Sequence, residues 1–181
     1  MIKNTRAMTV MAVLAALSVV LVSLIHIPIF PQAPFLEYDP ADIPILIATF
    51  AYGPVAGIIV TIIASAVQAV TVSAGSGIYG FIMHVISTSA LCIPAGFIYK
   101  SKKSRRGALE GMTSGIVCMA AVMLAANHFI TPFFMGAPTE MVDAMLLPTI
   151  LPFNLIKGGI NCVVTFLIYK PLSRFVIKGT K

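Results

Sequence analysis

The sequence predicts an all-α membrane protein with six transmembrane helices. Of its 181 residues, 59% are apolar and 10% are charged, and the mean hydropathy is +0.99. A soluble domain carries about 25% charged residues, so this chain has too few polar side chains to cover a surface that faces water. These numbers exclude a cytosolic enzyme, a secreted disulfide scaffold and a nucleic-acid-binding domain, although the net charge is +6.

Five apolar stretches define the helices, and the second stretch is too long for one span. The first, residues 7–27, has no small-x-small cleavage site after it, so it is interpreted as a retained helix and not as a signal peptide. The second, residues 43–72, has about 30 residues where one span needs about 20. Gly53 and Pro54 interrupt it, so it is interpreted as a hairpin of two helices. The last three stretches each suit one helix: residues 78–99, 108–131 and 148–169.

The distribution of basic residues favours the hairpin over a single kinked helix. Cytoplasmic loops of membrane proteins carry an excess of Lys and Arg. With six helices, both chain ends and the basic segment 100–106 lie in the cytoplasm, whereas the acidic loop residues lie outside. We therefore expect one domain over residues 1–181 with both termini cytoplasmic and the Gly53-Pro54 turn on the cytoplasmic side. Asp42, directly before Ile43, is interpreted as a helix N-cap.

Lys157 is the one basic residue that this topology places within the hydrocarbon. A lysine near the centre of a transmembrane helix costs about 3 kcal/mol on insertion scales, and such residues normally face a cavity or a partner. The apolar stretches contain no acidic residue that could pair with it. Its side chain must therefore either snorkel to the outer surface or contact a ligand, and the distance to the surface favours the ligand.

Polar residues of other helices fall at a similar depth. Asn154 and Asn161 share a helix face with Lys157, because they lie three residues before it and four after it. Each alone is typical of a polar contact between helices, but their convergence predicts a ligand site. The inner half has no comparable polar path, which predicts a binding cup open to the outside. Four further residues fall in this outer layer: Gln68, His84, Asn127 and His128.

The sequence gives no sign of chemistry within the chain. Cys92, Cys118 and Cys162 lie singly in apolar stretches, so neither a disulfide nor a metal site is predicted. The chain has no G-x-x-x-x-G-K-[ST] motif, so any use of ATP must come from partner subunits. No carboxylate accompanies the bases of the apolar stretches, so we expect no catalytic residue and no cofactor.

Four segments carry a resemblance to a known family. Ala12 and Ala16 are spaced for close helix approach, although spacing alone favours packing within the chain. With this pair, the chain resembles the S components of energy-coupling factor (ECF) vitamin transporters over nearly its whole length, and most of all the riboflavin-binding members. The other segments are Tyr38-Asp-Pro-Ala-Asp-Ile-Pro44, Phe50-Ala-Tyr-Gly-Pro-Val-Ala-Gly57 and Pro152-Phe-Asn-Leu-Ile-Lys-Gly158.

The resemblance implies a subunit of the bacterial plasma membrane that binds a vitamin from outside and has no chemistry of its own. It implies docking on a module made of a transmembrane coupling protein and two ATPase subunits, with Ala12 and Ala16 as the docking surface. It also implies that Asn154 and Lys157 contact the polar edge of a flavin. The loop after the first helix would cover the ligand with three residues: Phe35, Leu36 and Tyr38.

One segment departs from the pattern of the riboflavin-binding members. They tend to have Gly-Glu-x-x-Asn at the start of the fourth helix, whereas this chain has Gly80-Phe-Ile-Met-His84. A neutral histidine can still donate and accept hydrogen bonds, so riboflavin, or its phosphate FMN, is the expected ligand. Pyridoxine, a pyrimidine precursor and pantothenate remain alternatives. An autonomous secondary carrier and a membrane enzyme or accessory subunit are the alternatives from other functional classes.

Overall fold

The computed structural model describes the backbone of residues 5–176 and the side chains of residues 5–169 as a helical bundle with one short β-hairpin. The hairpin joins β1 (Ile27–Pro28) and β2 (Glu37–Tyr38) in antiparallel register. We call residues 25–41, which connect the first two helices, the cover segment. The helices are α1 (Thr5–Leu24), α2 (Asp42–Tyr52), α3 (Pro54–Val70), α4 (Gly77–Ser101), α5 (Arg105–Met135), α6 (Thr139–Met145) and α7 (Leu151–Val176), with a π-helical turn at Leu146–Ile150.

The fold is that of a mostly helical membrane protein. Among the described residues, four helical segments are long and apolar enough to cross a bilayer. The helices α2 and α3 are apolar but shorter, with 11 and 17 residues. The predicted class is confirmed at this level, and the number of spans and the side of each terminus stay predictions. The four segments are Thr5–Leu24, Gly77–Ser101, Arg105–Met135 and Thr139–Tyr169.

The break predicted in the long second apolar stretch is present. The helix α2 ends at Tyr52, and Gly53 has a φ of 96°, a conformation that favours glycine. Pro54 then begins α3, where its missing N–H costs no helical hydrogen bond. A Cβ atom at Gly57 would collide with the Thr49 side chain, so α2 and α3 pack closely side by side. The stretch is therefore a hairpin of two helices and not one kinked helix.

The helix α2 lies at the centre of the bundle. It packs against α1, α3, α4 and α7, and Ile45, Leu46 and Ala48 are fully buried in it. The long helices around it instead expose large apolar side chains on their outer faces, such as Val117 and Leu167. An apolar outer face is what a helix in contact with lipid requires. Polar groups at the start of α2 are consequently enclosed by protein.

An apolar cluster holds the cover segment against the end of the bundle where α7 begins. Ala33 and Leu36 of the cover segment pack against Val142 of α6, Ile150 of the π-helical turn and Phe153 at the start of α7. All five residues are buried. The cover segment is therefore held across this end of the bundle, above the cavity described next.

Candidate ligand-binding site

A cavity lies under the cover segment, between α3, α4, α5 and α7. The helices bring to its wall polar residues that are far apart in the sequence. Tyr38 is not among the lining residues, because its hydroxyl donates to Asn161 Oδ1 at 3.1 Å. His128 also lies elsewhere, 2.6 Å from Asp143 on an exposed surface. The predicted residues that do line the cavity are Phe35, Leu36, Gln68, His84, Asn127, Asn154 and Lys157.

Lys157 has an acidic partner, contrary to the expectation from the sequence. Its ammonium donates to Asp39 Oδ2 at 2.7 Å, and both side chains are 9% exposed. Asp39 lies in the cover segment, outside the apolar stretches, 118 residues away from Lys157 in the chain. A search for acids within those stretches therefore could not find it. Snorkelling to the surface does not occur, because the ion pair holds the ammonium inside the protein.

Asp39 is held by the backbone as well as by Lys157. Its Oδ1 accepts the Ala41 N–H at 2.9 Å, and its carbonyl oxygen accepts from Asn161 Nδ2 at 3.0 Å. Burial raises the pKa of the Asp39 carboxyl, but the Lys157 ammonium and the hydrogen bonds lower that pKa by more, so it lies below its ordinary value. The carboxylate is therefore ionised at neutral pH.

A second buried carboxylate, Asp42, lies beside this pair. It is fully buried, and it accepts from Thr88 Oγ1 at 2.6 Å and from Asn161 Nδ2 at 3.0 Å. The predicted N-cap role is wrong: Ala41 occupies the N-cap position, and Asp42 is the first helical residue with its side chain turned into the bundle. Asn161 thus joins the backbone of Asp39 and the carboxylate of Asp42 to α7, and it does so behind the cavity wall.

Two side chains of the wall carry buried polar atoms without a hydrogen-bond partner among the described residues. These atoms are Gln68 Nε2 and His84 Nε2. The other His84 nitrogen, Nδ1, lies 2.6 Å from Ser65 Oγ, while Nε2 lies 3.9 Å from the nearest Asp42 oxygen. A buried polar group without a partner costs about 1–3 kcal/mol. Such a cost is typical of a binding site in which the ligand supplies the missing partner.

The two asparagines of the wall are partly satisfied by their own helices. Asn127 and Asn154 each donate to the carbonyl four residues earlier, at 2.8 Å. The Asn127 oxygen also accepts from Thr131 at 2.8 Å, whereas the Asn154 oxygen has no donor within the described part of the chain. The carbonyl that holds Asn154 belongs to Ile150 in the π-helical turn, a feature frequent at functional sites. Asn154 can therefore accept a hydrogen bond from a ligand.

Aromatic rings form much of the remaining wall. Phe35 of the cover segment packs against Phe134 of α5, with ring centroids 6.0 Å apart, and Tyr79 of α4 packs against the same ring at 5.9 Å. Phe81 and Phe153 also line the cavity. A mostly apolar wall with a few convergent polar groups is typical of sites for small organic ligands, and aromatic rings favour a flat one.

The opposite end of the bundle is closed by a different aromatic cluster. Phe50, Tyr99 and Tyr169 pack together with ring centroids 4.8 to 5.7 Å apart, and the Tyr169 hydroxyl donates to that of Tyr99 at 3.2 Å. Tyr99 follows His84 by fifteen residues in α4, or about 22 Å along the helix axis. Packed aromatic rings therefore occupy this end of the bundle among the described residues, and a cup open to the outside stays a prediction.

Ala12 and Ala16 are both exposed on the outer face of α1. The residues of α1 that pack into the bundle lie on its other side, among them Met11, Leu14 and Ala15. Packing within the chain, which the spacing alone favoured, is therefore wrong. Because their side chains are small, another helix can approach the outer face of α1 closely at these two alanines.

The comparison with known families decides what kind of protein this is. A model of the family described as ECF transporter, substrate-specific component, matches residues 6–169. The chain belongs to this family. The resemblance recognised in the sequence is thereby confirmed, and the chain is an S component. Together with its apolar helices, this membership makes it a multi-pass protein of the bacterial plasma membrane that serves transport.

Individual proteins similar to this S component cover nearly its whole length. The riboflavin transporter RibU of Staphylococcus aureus (strain TCH60) is 32% identical over 180 residues, which are 96% of this chain and 93% of that protein. The riboflavin transporter FmnP of Bacillus subtilis (strain 168) is 30% identical over 182 residues, 96% and 95% of the two chains. A solved structure of the S component of a bacterial ECF transporter superposes with a TM-score of 0.83 at 29% identity, covering 94% of this chain and 96% of that one.

Proposed function

We propose that this S component captures riboflavin from outside the cell in the cavity under the cover segment. The observation that carries the proposal is the pair of buried nitrogens without a hydrogen-bond partner, on Gln68 and His84, in the wall of a cavity that is rich in aromatic rings. The isoalloxazine ring of riboflavin is flat, and its carbonyls, ring nitrogens and ribityl hydroxyls can supply such partners. Both bacterial relatives named above are called riboflavin transporters, which supports the same ligand.

Each residue of the wall takes a role that suits its chemistry. Lys157 donates to a carbonyl on the polar edge of the flavin, and Asn154 accepts from a ring N–H with its free oxygen. Gln68 of α3 and His84 of α4 form hydrogen bonds with the ligand from the other side of the cavity. Asn127 lies on α5, which packs between α4 and α7. Phe35 and Leu36 cover the ring. Tyr38 supports the cover segment through Asn161 and does not reach the ligand itself.

The proposal includes six spans in one domain with both termini in the cytoplasm. This orientation puts the basic segment 100–106 inside, in accord with the positive-inside rule. It also puts the mouth of the cavity outside. The helix α2 has 11 residues, about 16 Å at 1.5 Å per residue, and is the shortest of the six proposed spans. Transport then requires a transmembrane coupling protein and two ATPase subunits, docked on Ala12 and Ala16.

The departure from the pattern of the riboflavin-binding members falls on the cavity wall. Phe81 and His84 both line it. His84 replaces an amide by a group that also donates and accepts, and Phe81 adds a ring to an aromatic wall. Both replacements are compatible with a flat flavin. A ligand other than riboflavin would be recognised by the same two positions, so a pyridoxine, pyrimidine or pantothenate competitor belongs in every titration.

Replacing Gln68 by Leu tests the proposal directly. We expect riboflavin affinity to fall about 5- to 30-fold, equivalent to the loss of one hydrogen bond of about 1–2 kcal/mol. The unfolding temperature of the ligand-free protein should stay the same or rise, because the change removes a buried unsatisfied amide. Equilibrium titration of the purified protein in mild detergent, followed by flavin fluorescence, measures the affinity.

The matched control is Val67→Leu, since Val67 lies next to Gln68 but is exposed on the outer face of α3. This variant should bind riboflavin as the wild type does. Wild-type affinity in Gln68→Leu would show that the orphaned amide does not face the ligand. A wild-type protein that binds pyridoxine or pantothenate and not riboflavin would refute the choice of vitamin.

A further inference from the structure

The Lys157 ammonium has more hydrogen-bonding capacity than its protein partner uses. An ammonium carries three N–H donors, and one of them donates to Asp39 Oδ2. Within the described part of the chain, Lys157 has no second hydrogen-bond acceptor, although it lines the cavity. The same ammonium can therefore hold Asp39 and a ligand atom at once.

Asp39 is the only charged group of the cover segment that reaches α7 among the described residues. It follows β2 directly, and β2 is paired with β1. Three residues earlier in the segment, Leu36 lies both in the cavity wall and in the apolar cluster at the start of α7. The ion pair between Asp39 and Lys157 therefore joins the part of the chain that covers the cavity to the helix that contacts the ligand.

We propose that Asp39 is a positioning residue that directs the Lys157 ammonium toward the ligand. The same ion pair holds the cover segment in place across the cavity, which we call the seating of the cover segment. The role in binding rests on the proposed function, whereas the seating does not. Asp39 is the only carboxylate of the described residues that forms an ion pair with Lys157, since Asp42 accepts from Thr88 and Asn161 instead. A buried ammonium without such a partner pays a large desolvation cost, so Lys157 without Asp39 leaves its place in the wall. Asp39 thus acts on the ligand only through Lys157.

A double-mutant cycle on riboflavin affinity tests the positioning role. Asp39→Asn retains the oxygen that accepts from Ala41 but places an N–H against the Lys157 ammonium. We expect it to raise the Kd at least about 30-fold, the loss typical of truncating one member of a buried charge pair. In the Lys157→Met background, the same change should cause no further loss, because the group through which Asp39 acts is gone.

The double variant also keeps the test informative if Lys157→Met alone fails to fold. Lys157→Met alone leaves the Asp39 carboxylate buried and unpaired, whereas Asp39→Asn with Lys157→Met leaves two neutral side chains. Glu140→Gln, which removes an exposed carboxylate from α6, is the control and should change neither affinity nor stability. If the two effects multiply in the double variant, Asp39 acts independently of Lys157 and the positioning role is wrong.

Hydrogen–deuterium exchange of the ligand-free protein tests the seating without riboflavin. We expect peptides from residues 25–41 to exchange at least about tenfold faster in Asp39→Asn and in Lys157→Met than in the wild type, as local opening becomes easier. Unchanged exchange in both variants would overturn the seating. If the wild type binds no riboflavin, the proposed function and the positioning role fail together, while this exchange still decides the seating on its own.

Discussion

Replacing Lys157 by Met will weaken riboflavin binding about 100-fold. In the proposed site the ammonium forms a charge-assisted hydrogen bond with the ligand, worth about 1.5–3 kcal/mol, and Met keeps most of the length of lysine without its charge. The change also leaves Asp39 as a buried carboxylate without its partner, which repels the electron-rich carbonyls of a flavin. Titration of riboflavin against purified protein measures the loss.

We expect this variant to have a second effect, on stability, because Lys157 belongs to a buried ion pair. Removing one member of a buried ion pair destabilises a protein by about 3–5 kcal/mol, so the ligand-free Lys157→Met protein should unfold at a lower temperature. Asn154→Leu is the cleaner companion, since its amide only donates within its own helix. It should weaken riboflavin binding with little loss of stability.

Ile156→Met is the control for both variants, because Ile156 is adjacent to Lys157 but exposed on the outer face of α7. It should bind riboflavin like the wild type. Wild-type affinity in a variant that combines Lys157→Met with Asn154→Leu would place the ligand away from α7 and refute the assigned site.

Replacing Ala12 or Ala16 by Trp will abolish ATP-driven riboflavin uptake and leave riboflavin binding intact. Both alanines are exposed and do not contribute to the packing of this chain, so a larger side chain does not disturb the fold. Helices that meet at small residues approach closely, and an indole ring would hold a partner helix too far away to dock. Uptake of labelled riboflavin in cells that supply the coupling protein and the ATPase subunits measures the effect.

Val117→Trp serves as the control, because Val117 of α5 is also exposed and faces away from the bundle. It should transport normally. If Ala12→Trp and Ala16→Trp also transport normally, another helix carries the docking surface. Uptake by the chain expressed without any ATPase module would instead indicate an autonomous carrier.

Much of the fold follows from the lengths of the apolar stretches and from the Gly and Pro residues that interrupt them. Gly53 and Pro54 predict the break between α2 and α3, because one tolerates a positive φ and the other begins a helix without loss. Depth along the helices also predicts most of the polar residues that converge, since the rise per residue is fixed, although His128 lies on an exposed surface instead. Gln68, His84 and Lys157 therefore line one cavity although they come from three helices.

The sequence could not predict the contacts that the cover segment makes. Depth counted along a helix gives no position to a loop residue, so the sequence places Asp39 outside the membrane and not beside Lys157. The interpretation of Asp42 fails for a related reason: a carboxylate next to a helix start resembles a cap, and only the central position of α2 turns it inward. The available signal was two acids, in Asp39-Pro-Ala-Asp42, directly before a helix that is apolar on all sides.

The most direct test of the central claim is the visible absorption spectrum of the chain purified in mild detergent, with mass spectrometry of the small molecule it releases. We predict a yellow preparation with about one riboflavin per chain, since a high-affinity site retains its ligand through purification. A colourless preparation that also fails to bind added riboflavin would contradict it. The chain would then be an S component for another vitamin, with Phe81 and His84 as the first residues to explain the difference.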